Sequence, residues 1–332
     1  KISSIKATVY KLPTLSNVGY VNTIGYSLIE YIEVEIGGKT IDKHYDTWMD
    51  IHDKLMIKAD HREGINEMVL RFDSHTDSSF RGGTVIVPLK FWFTEGLSQS
   101  FPLTSLSHQD IIIYVKLRPF KNVWMSNSGV SPVGTYEITS GYLLVDYIRL
   151  DSLERKMMYN KKYKYLIKQI QLIDTSTLEN ATSAKISLES INYPVSELIW
   201  IIRSDTRETE KDWFNYLDTT TSTIDPMQSA YITFDEKDRL EEHTSKFYRM
   251  IQPYKKHSNI PNDYIYMYSF ATKPEYDAQP TGSCNFSELN DVSLHLKLKT
   301  NLSKSKIYVY AVNYNVLLVE DGYAWLEKCL SI

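Results

Sequence analysis

Hydrophobic and polar residues alternate with a period of two along much of this chain. In "YIEVEIGG" (31–38), Ile32, Val34 and Ile36 point one way and Glu33 and Glu35 the other. In "DVSLHLKLK" (291–299), Val292, Leu294, Leu296 and Leu298 alternate with Ser293, His295, Lys297 and Lys299. Each pattern predicts a strand with one buried and one wet face. Further strands are predicted at 111–117, 141–150, 165–173, 196–203, 264–271 and 306–319. Turn-rich pieces such as "SNSGVSPVG" (126–134) and "KPEYDAQPTGS" (273–283) separate them. Many β runs with few helical ones between them predict antiparallel sandwiches and not βαβ units. The absence of a fixed short repeat argues against a propeller or solenoid.

Three segments break the alternation. The stretch 235–254 predicts a helix carrying Leu240, Phe247, Met250 and Ile251. The charged stretch "DSLERKMMYNKKYK" (151–164) reads as the connection between two β domains, the alternative being a loop insertion within one large sandwich. The third, "DKHYDTWMDIHDK" (42–54), holds two histidines and four aspartates. On a helical projection with Asp42 at zero, Asp53, Asp46 and Asp50 fall at about 20°, 40° and 80°. His44, His52, Trp48, Ile51 and Leu55 lie on the other side. A metal site needs its ligands to converge within about 2 Å of one ion, and this projection points histidines and aspartates apart. The expectation is an amphipathic helix buried through Trp48, with the aspartates solvated.

Composition narrows the function classes. The chain has 332 residues, 42% hydrophobic and 23% charged, enough for about two domains with packed cores. A formal net charge of -4 gives no general case for nucleic acid or an anionic membrane. Tyrosine is abundant at 25 residues, which suits half-buried pleated surfaces and interfaces. Cys284 and Cys329 are the only cysteines; this is no disulfide framework, so the pair is expected to be unbonded in a reducing compartment. No apolar run approaches the ~20 residues of a membrane span, and no signal-peptide pattern follows Lys1. "HREGINE" (61–67) lacks the spacing of a helical zinc site, and "RGGTVIVP" (81–88) lacks a phosphate-loop pattern. "YKKHSNIP" (254–261) reads as a solvated basic turn, and the N-glycosylation acceptor patterns "NAT" (180–182), "NFS" (285–287) and "NLS" (301–303) occur at near-chance frequency.

Several segments, in order, resemble the double jelly-roll major capsid proteins of large nucleocytoplasmic DNA viruses. They are "VNTIGYSLIEYIEVEIGGKTIDKHYDTWMDIHDKL" (21–55), "LLVDYIRLDSLERKMM" (143–158), "YPVSELIWIIR" (193–203), the long block from Met250 to Leu294 containing "QPY", "YSFA" and "CNFS", and "NYNVL" (313–317). The resemblance implies an all-β fold of two consecutive eight-stranded antiparallel jelly-roll sandwiches with a few short helices, at 1–155 and 156–332. Only about twenty residues precede the first match, so the first roll reads as lacking early strands or the chain as a fragment. The tail "VEDGYAWLEKCLSI" departs from the Gly-rich ending of the family.

The family offers no catalytic residue, cofactor or metal ligand to carry over. It implies a homotrimer of pseudo-hexameric outline tiling an icosahedral shell. The implied partners are neighbouring capsomers, minor capsid proteins and, indirectly, an inner membrane, with no direct nucleic-acid contact. The implied location is the virion, assembled in the host cytoplasm. Two alternatives stand beside this reading: a transient double jelly-roll scaffold or minor capsid paralogue, and a carbohydrate-binding β-sandwich. The last requires paired carboxylates or an aromatic platform in a cleft.

Overall fold

Two glycines close the hairpin that organises the first half of the chain. Gly37 and Gly38 both have positive φ, at 55° and 78°, and Ile36 pairs with Lys39 across them. This is the two-residue turn whose twist matches that of antiparallel strands. In the computed structural model, residues 1, 16–17, 97–98, 127–130, 133–136, 175–176, 218–223, 277–278, 300–303 and 328–332 are not described, and all others are. The chain divides into two compact units. The first comprises Lys1–Met49, Glu63–Gln169 and Asn315–Lys328, and the second Asp50–Arg62, Ile170–Tyr314 and Cys329–Ile332.

The first unit runs β1 (Ile2–Leu12), β2 (Gly19–Tyr20), α1 (Ile24–Ser27), β3 (Ile29–Ile36) and β4 (Lys39–Tyr45), followed by helix α2 (Asp46–Met56), within which the division falls. It continues through α3 (Arg62–Val69), β5 (Gly83–Pro88), α4 (Trp92–Glu95), β6 (Ile111–Leu117), β7 (Trp124–Met125), β8 (Ser140–Tyr147) and α5 (Ser152–Tyr159). The strands form antiparallel sheets ordered β5-β1-β8 and β4-β3-β6, with a short β2-β7 pair. Ile32, Val34 and Ile36 of β3 and Val85 and Val87 of β5 are buried. The predicted alternation of β3 thus sets which of its faces enters the core.

The second unit contains β10 (Ser183–Ser187), β11 (Pro194–Ser204), α6 (Asp205–Glu210), β12 (Met227–Phe234), β13 (Lys237–Thr244), α7 (Gln252–Lys256), β14 (Ile265–Ser269), β15 (Cys284–Asn285) and β16 (Val292–Leu298). The long strands β9 (Tyr163–Asp174) and β17 (Ser305–Glu320) run through the division, and β18 (Tyr323–Leu326), the last described strand, falls in the first unit. One sheet is ordered β10-β16-β12-β13. The other is ordered β14-β11-β17-β18, with β15 on β11 and β9 on β17. Nearly every residue of β11 is buried, so it reads as a continuous apolar run and not as an alternation. Trp200 of β11 sits in the core of this unit, its ring 5.1 Å from that of Tyr248 and 6.1 Å from that of Tyr266. The architecture is the expected all-β one.

Three local expectations are corrected. Residues 42–45 belong to β4, not to the helix, because the Gly37-Gly38 turn folds them back against β3, pairing Val34 with Asp42 and Ile32 with His44. The aspartates of this stretch are not solvated: Asp42, Asp46, Asp50 and Asp53 are all buried, as is Trp48. Residues 237–244 form strand β13, and helical structure begins only at Ser245, with a π-turn over Phe247–Ile251 that runs into α7. The connecting stretch 151–164 contains α5, whose Asp151 side chain accepts from Glu154 N while Glu154 bonds back to the Asp151 backbone amide. This capping box starts the helix directly after β8.

Candidate assembly surfaces

The histidine- and aspartate-rich stretch is a pair of buried polar networks, one in each unit. In the first, Arg118 Nη2 donates to Asp46 Oδ2 at 2.6 Å, and its Nη1 donates to the Ser27 carbonyl. The other oxygen of Asp46 accepts from the Thr47 amide and hydroxyl at the first turn of α2. His44 Nε2 lies 2.9 Å from Asp42 Oδ2, and the His44 ring stacks on Phe91 at 4.2 Å. These two residues are two apart on β4 and therefore share its core face.

In the second unit Asp50 is fully buried and accepts from the Tyr216 hydroxyl at 2.8 Å. Lys54, one turn on, lies 2.8 Å from both Asp50 and Asp263 and donates to the Phe214 carbonyl. Burial and the adjacent Asp50 charge hold the Tyr216 hydroxyl well above its ordinary pKa. Among the described residues no group of three or more His, Cys, Asp or Glu is placed to hold a metal ion. Asp42, Asp46 and Asp50 serve as acceptors for fixed donors, a role a helical projection cannot reveal.

The basic segment 254–261 is likewise not a solvated turn. His257 donates through Nε2 to Glu197 and through Nδ1 to Glu275, each at 3.0 Å. Burial pushes the imidazolium down, but the charge and hydrogen bond of Glu197, joined by Glu275, outweigh it and hold the pKa at about 9. Lys256 donates to the Ala271 carbonyl, which leaves Lys255 and Tyr254 on the surface. In "RGGTVIVP" the glycine pair solves a packing problem, since a Cβ on Gly82 would come within 2.5 Å of the Pro13 carbonyl oxygen. "HREGINE" is mostly the exposed side of α3, anchored by Ile65.

Asn180 is exposed, Asn285 is engaged with Ser287 and Glu288, and the acceptor pattern at 301–303 lies outside the described residues. Cys284 is a half-buried free thiol whose pKa burial pushes up, and Cys329 lies outside the described residues. No helix among the described residues is long and apolar enough to cross a membrane.

The chemistry on offer therefore lies at the surface, in exposed apolar side chains. In the first unit the run from Tyr142 to Tyr159 exposes Tyr142, Leu144, Tyr147, Leu153, Met157 and Tyr159. Tyr142 and Leu144 pair with the buried Val9 and Ala7 and share their sheet face, so an apolar strip continues onto β8 past the point where it is covered. Helix α5 buries none of its residues. In the second unit the π-turn and α7 expose Met250, Ile251 and Tyr254. The sequence carried a signal for the first surface: apolar residues at both phases of "GYLLVDYIRL", then Leu153 and Met157 at helical spacing.

Comparison with known proteins places this framework. The family model described as large eukaryotic DNA virus major capsid protein matches residues 154–324, and the model for the major capsid protein N-terminus matches 3–185. The major capsid protein of Pyramimonas orientalis virus is 31% identical, over 96% of this chain and 80% of its own length. That of Phaeocystis pouchetii virus is 26% identical over 90% of this chain and 80% of its own length. Among solved structures, the PBCV-1 virus capsid quasi-atomic model superimposes with a TM-score of 0.80 at 24% identity, covering 99% of this chain and 90% of that one. The Faustovirus major capsid protein gives 0.76 at 12% identity, covering 91% and 73%. These matches run through both units and share their strand framework, and this chain belongs to the family of large eukaryotic DNA virus major capsid proteins.

Proposed function

We propose that this chain is a structural subunit of an icosahedral virus shell, a major capsid protein that assembles as a homotrimer of pseudo-hexameric outline. The observation that carries the reading is the match to a viral major capsid protein over nearly the whole chain at 31% identity. Two sandwiches per subunit and three subunits per ring give six similar lobes, an outline that packs on a hexagonal lattice. In sequence the first jelly roll is assigned to 1–155 and the second to 156–332, with the junction inside α5. In space the first unit runs on to Gln169 and also holds 315–328, and the second holds 50–62. Function then resides in surfaces that pack against other copies and against minor capsid proteins, in a virion assembled in the host cytoplasm. Light scattering on the purified protein tests the reading: a mass of about three times 38.6 kDa is expected, and a stable monomer contradicts it.

A further inference from the structure

The tail "VEDGYAWLEKCLSI" departs from the family's Gly-rich ending, and the shell role gives it no task. Strands β17 and β18 pair Glu320 with Tyr323 across Asp321 and Gly322, whose φ values are 51° and 86°. Positive φ at both central residues is the two-residue turn that matches strand twist. The chain at 107–109 clamps this turn. His108 N donates to the Gly322 carbonyl at 3.1 Å, and Ala324 N donates to Gln109 Oε1 at 2.6 Å. A Cβ on Gly322 would collide with Ser107 and His108, so the close approach requires the glycine.

Alternation along β18 buries Ala324 and turns Tyr323 and Trp325 outward, 46% and 37% exposed. Trp325 is the most exposed tryptophan among the described residues. Two residues apart, the rings share a sheet face with their cross-strand partners Glu320 and Leu318. That face is not flat. Tyr323 and Trp325 line a hollow of about 410 Å³, and Trp325 also lines an adjoining one of about 450 Å³ that shares Lys39 and Ala324 with the first. Both volumes fall within the roughly 300–1,000 Å³ of small-molecule sites. All of these residues belong to the first unit.

The polar groups beside the rings are uncommitted. The Lys39 ammonium, the Asp321 carboxylate, the Tyr323 hydroxyl and the Trp325 indole N–H make no hydrogen bond or ion pair among the described residues. Gln109, its oxygen held by Ala324, keeps its amide nitrogen to donate. Glu320 and Glu327 are matched by Lys162 and Lys164 at 2.8 and 3.3 Å, and Asp321 offsets Lys39, so the lining has no net charge. A pyranose is amphipathic in the same sense. One face carries C–H groups that pack on an aromatic ring, and the rim carries hydroxyls that both donate and accept. A charge-balanced lining gives an anionic sugar no advantage.

We propose that the β17–β18 hairpin is a glycan-binding site for a neutral oligosaccharide. Tyr323 and Trp325 stack on its pyranose rings, and Asp321, Lys39 and Gln109 hold its hydroxyls. Trp325 stands between the two hollows, so the site takes at least two linked sugar residues. This adds a recognition role to the shell role and does not depend on it.

The test uses full-length protein made in bacteria, which carries no glycan of its own. A microarray of neutral hexose and N-acetylhexosamine oligomers, with sulfated and uronic-acid glycans beside them, is followed by titration calorimetry with the neutral oligosaccharide that binds most. Tyr323→Ala and Trp325→Ala should each weaken binding about tenfold or more, and Trp325→Phe, which keeps a flat ring, should restore most of it. Asp321→Asn, a residue that tolerates the positive φ, should weaken binding severalfold. Each variant should keep the wild-type circular dichroism and melting temperature; should Trp325→Ala melt early, Tyr323→Ala and Asp321→Asn carry the test. No binding to any neutral glycan, or binding that survives undiminished in both Tyr323→Ala and Asp321→Asn, overturns the site. Tighter binding of the sulfated or uronic-acid glycans overturns the assigned ligand class.

Discussion

Replacing Asp50 by asparagine tests whether α2 is held by its aspartates or only by Trp48. Asp50 is fully buried, accepts from the Tyr216 hydroxyl at 2.8 Å, and lies 2.8 Å from the Lys54 ammonium. Asparagine keeps the shape and removes the charge. Lys54 retains Asp263 on its other side, also at 2.8 Å, so the cation is not stranded. Breaking a buried pair outright costs about 3–5 kcal/mol, and losing a hydrogen bond to a charged acceptor costs about 1.5–3 kcal/mol. With Asp263 still in place, the expected loss is about 2–4 kcal/mol, against about 0.5 kcal/mol for an exposed aspartate. For units of this size that lowers the melting temperature by roughly 4–16 °C. Calorimetry on Asp50→Asn, Tyr216→Phe and the double variant measures it, and the double variant should lose less than the sum of the singles by about 1 kcal/mol or more. An Asp50→Asn melting temperature equal to wild type, or strict additivity with Tyr216→Phe, would refute the network.

Two further predictions follow from the second unit. Trp200 is fully buried between Tyr248 and Tyr266, so Trp200→Ala should cost about 3–5 kcal/mol. Tyr254→Ala, at an exposed ring, should change monomer stability by no more than about 0.5 kcal/mol; equal melting temperatures for the two variants would contradict the assignment of core and surface. His257 has its pKa raised from 6.5 to about 9 in the folded state. Its stabilisation is therefore complete below about pH 6.5 and lost as pH rises to about 9, a contribution on the order of 3 kcal/mol. Urea midpoints of wild type and His257→Gln should differ most near pH 6 and converge toward pH 9, and a gap that does not change with pH counts against the Glu197–His257–Glu275 bridge.

Strands that bury one face announced themselves. Val292, Leu294, Leu296 and Leu298 alternate with polar residues because β16 lies inside its sheet with one side on the core. Strand β13 did not, because it is a sheet edge with nearly every residue exposed, so no period of two is imposed on it. Its turn was equally silent: Asp235 and Glu236 adopt positive φ without the glycine that marks such turns. The aspartates of α2 were misplaced for a different reason. Their partners stand 72 residues away for Arg118 and Asp46, and 166 for Tyr216 and Asp50. A projection of one helix sees only its own residues, and an acidic face looks solvated until the donors that bury it arrive from elsewhere. The exposed run on β8 and α5 was visible as apolar excess, but its meaning depends on what covers it, which is a property of the assembly.

The central claim is that this chain is a shell-building trimer, and electron microscopy of the purified full-length protein tests it most directly. Class averages should show particles of hexagonal outline with three-fold symmetry, each of a mass about three times 38.6 kDa. Particles of single-subunit size, or rings with a symmetry other than three-fold, would contradict it.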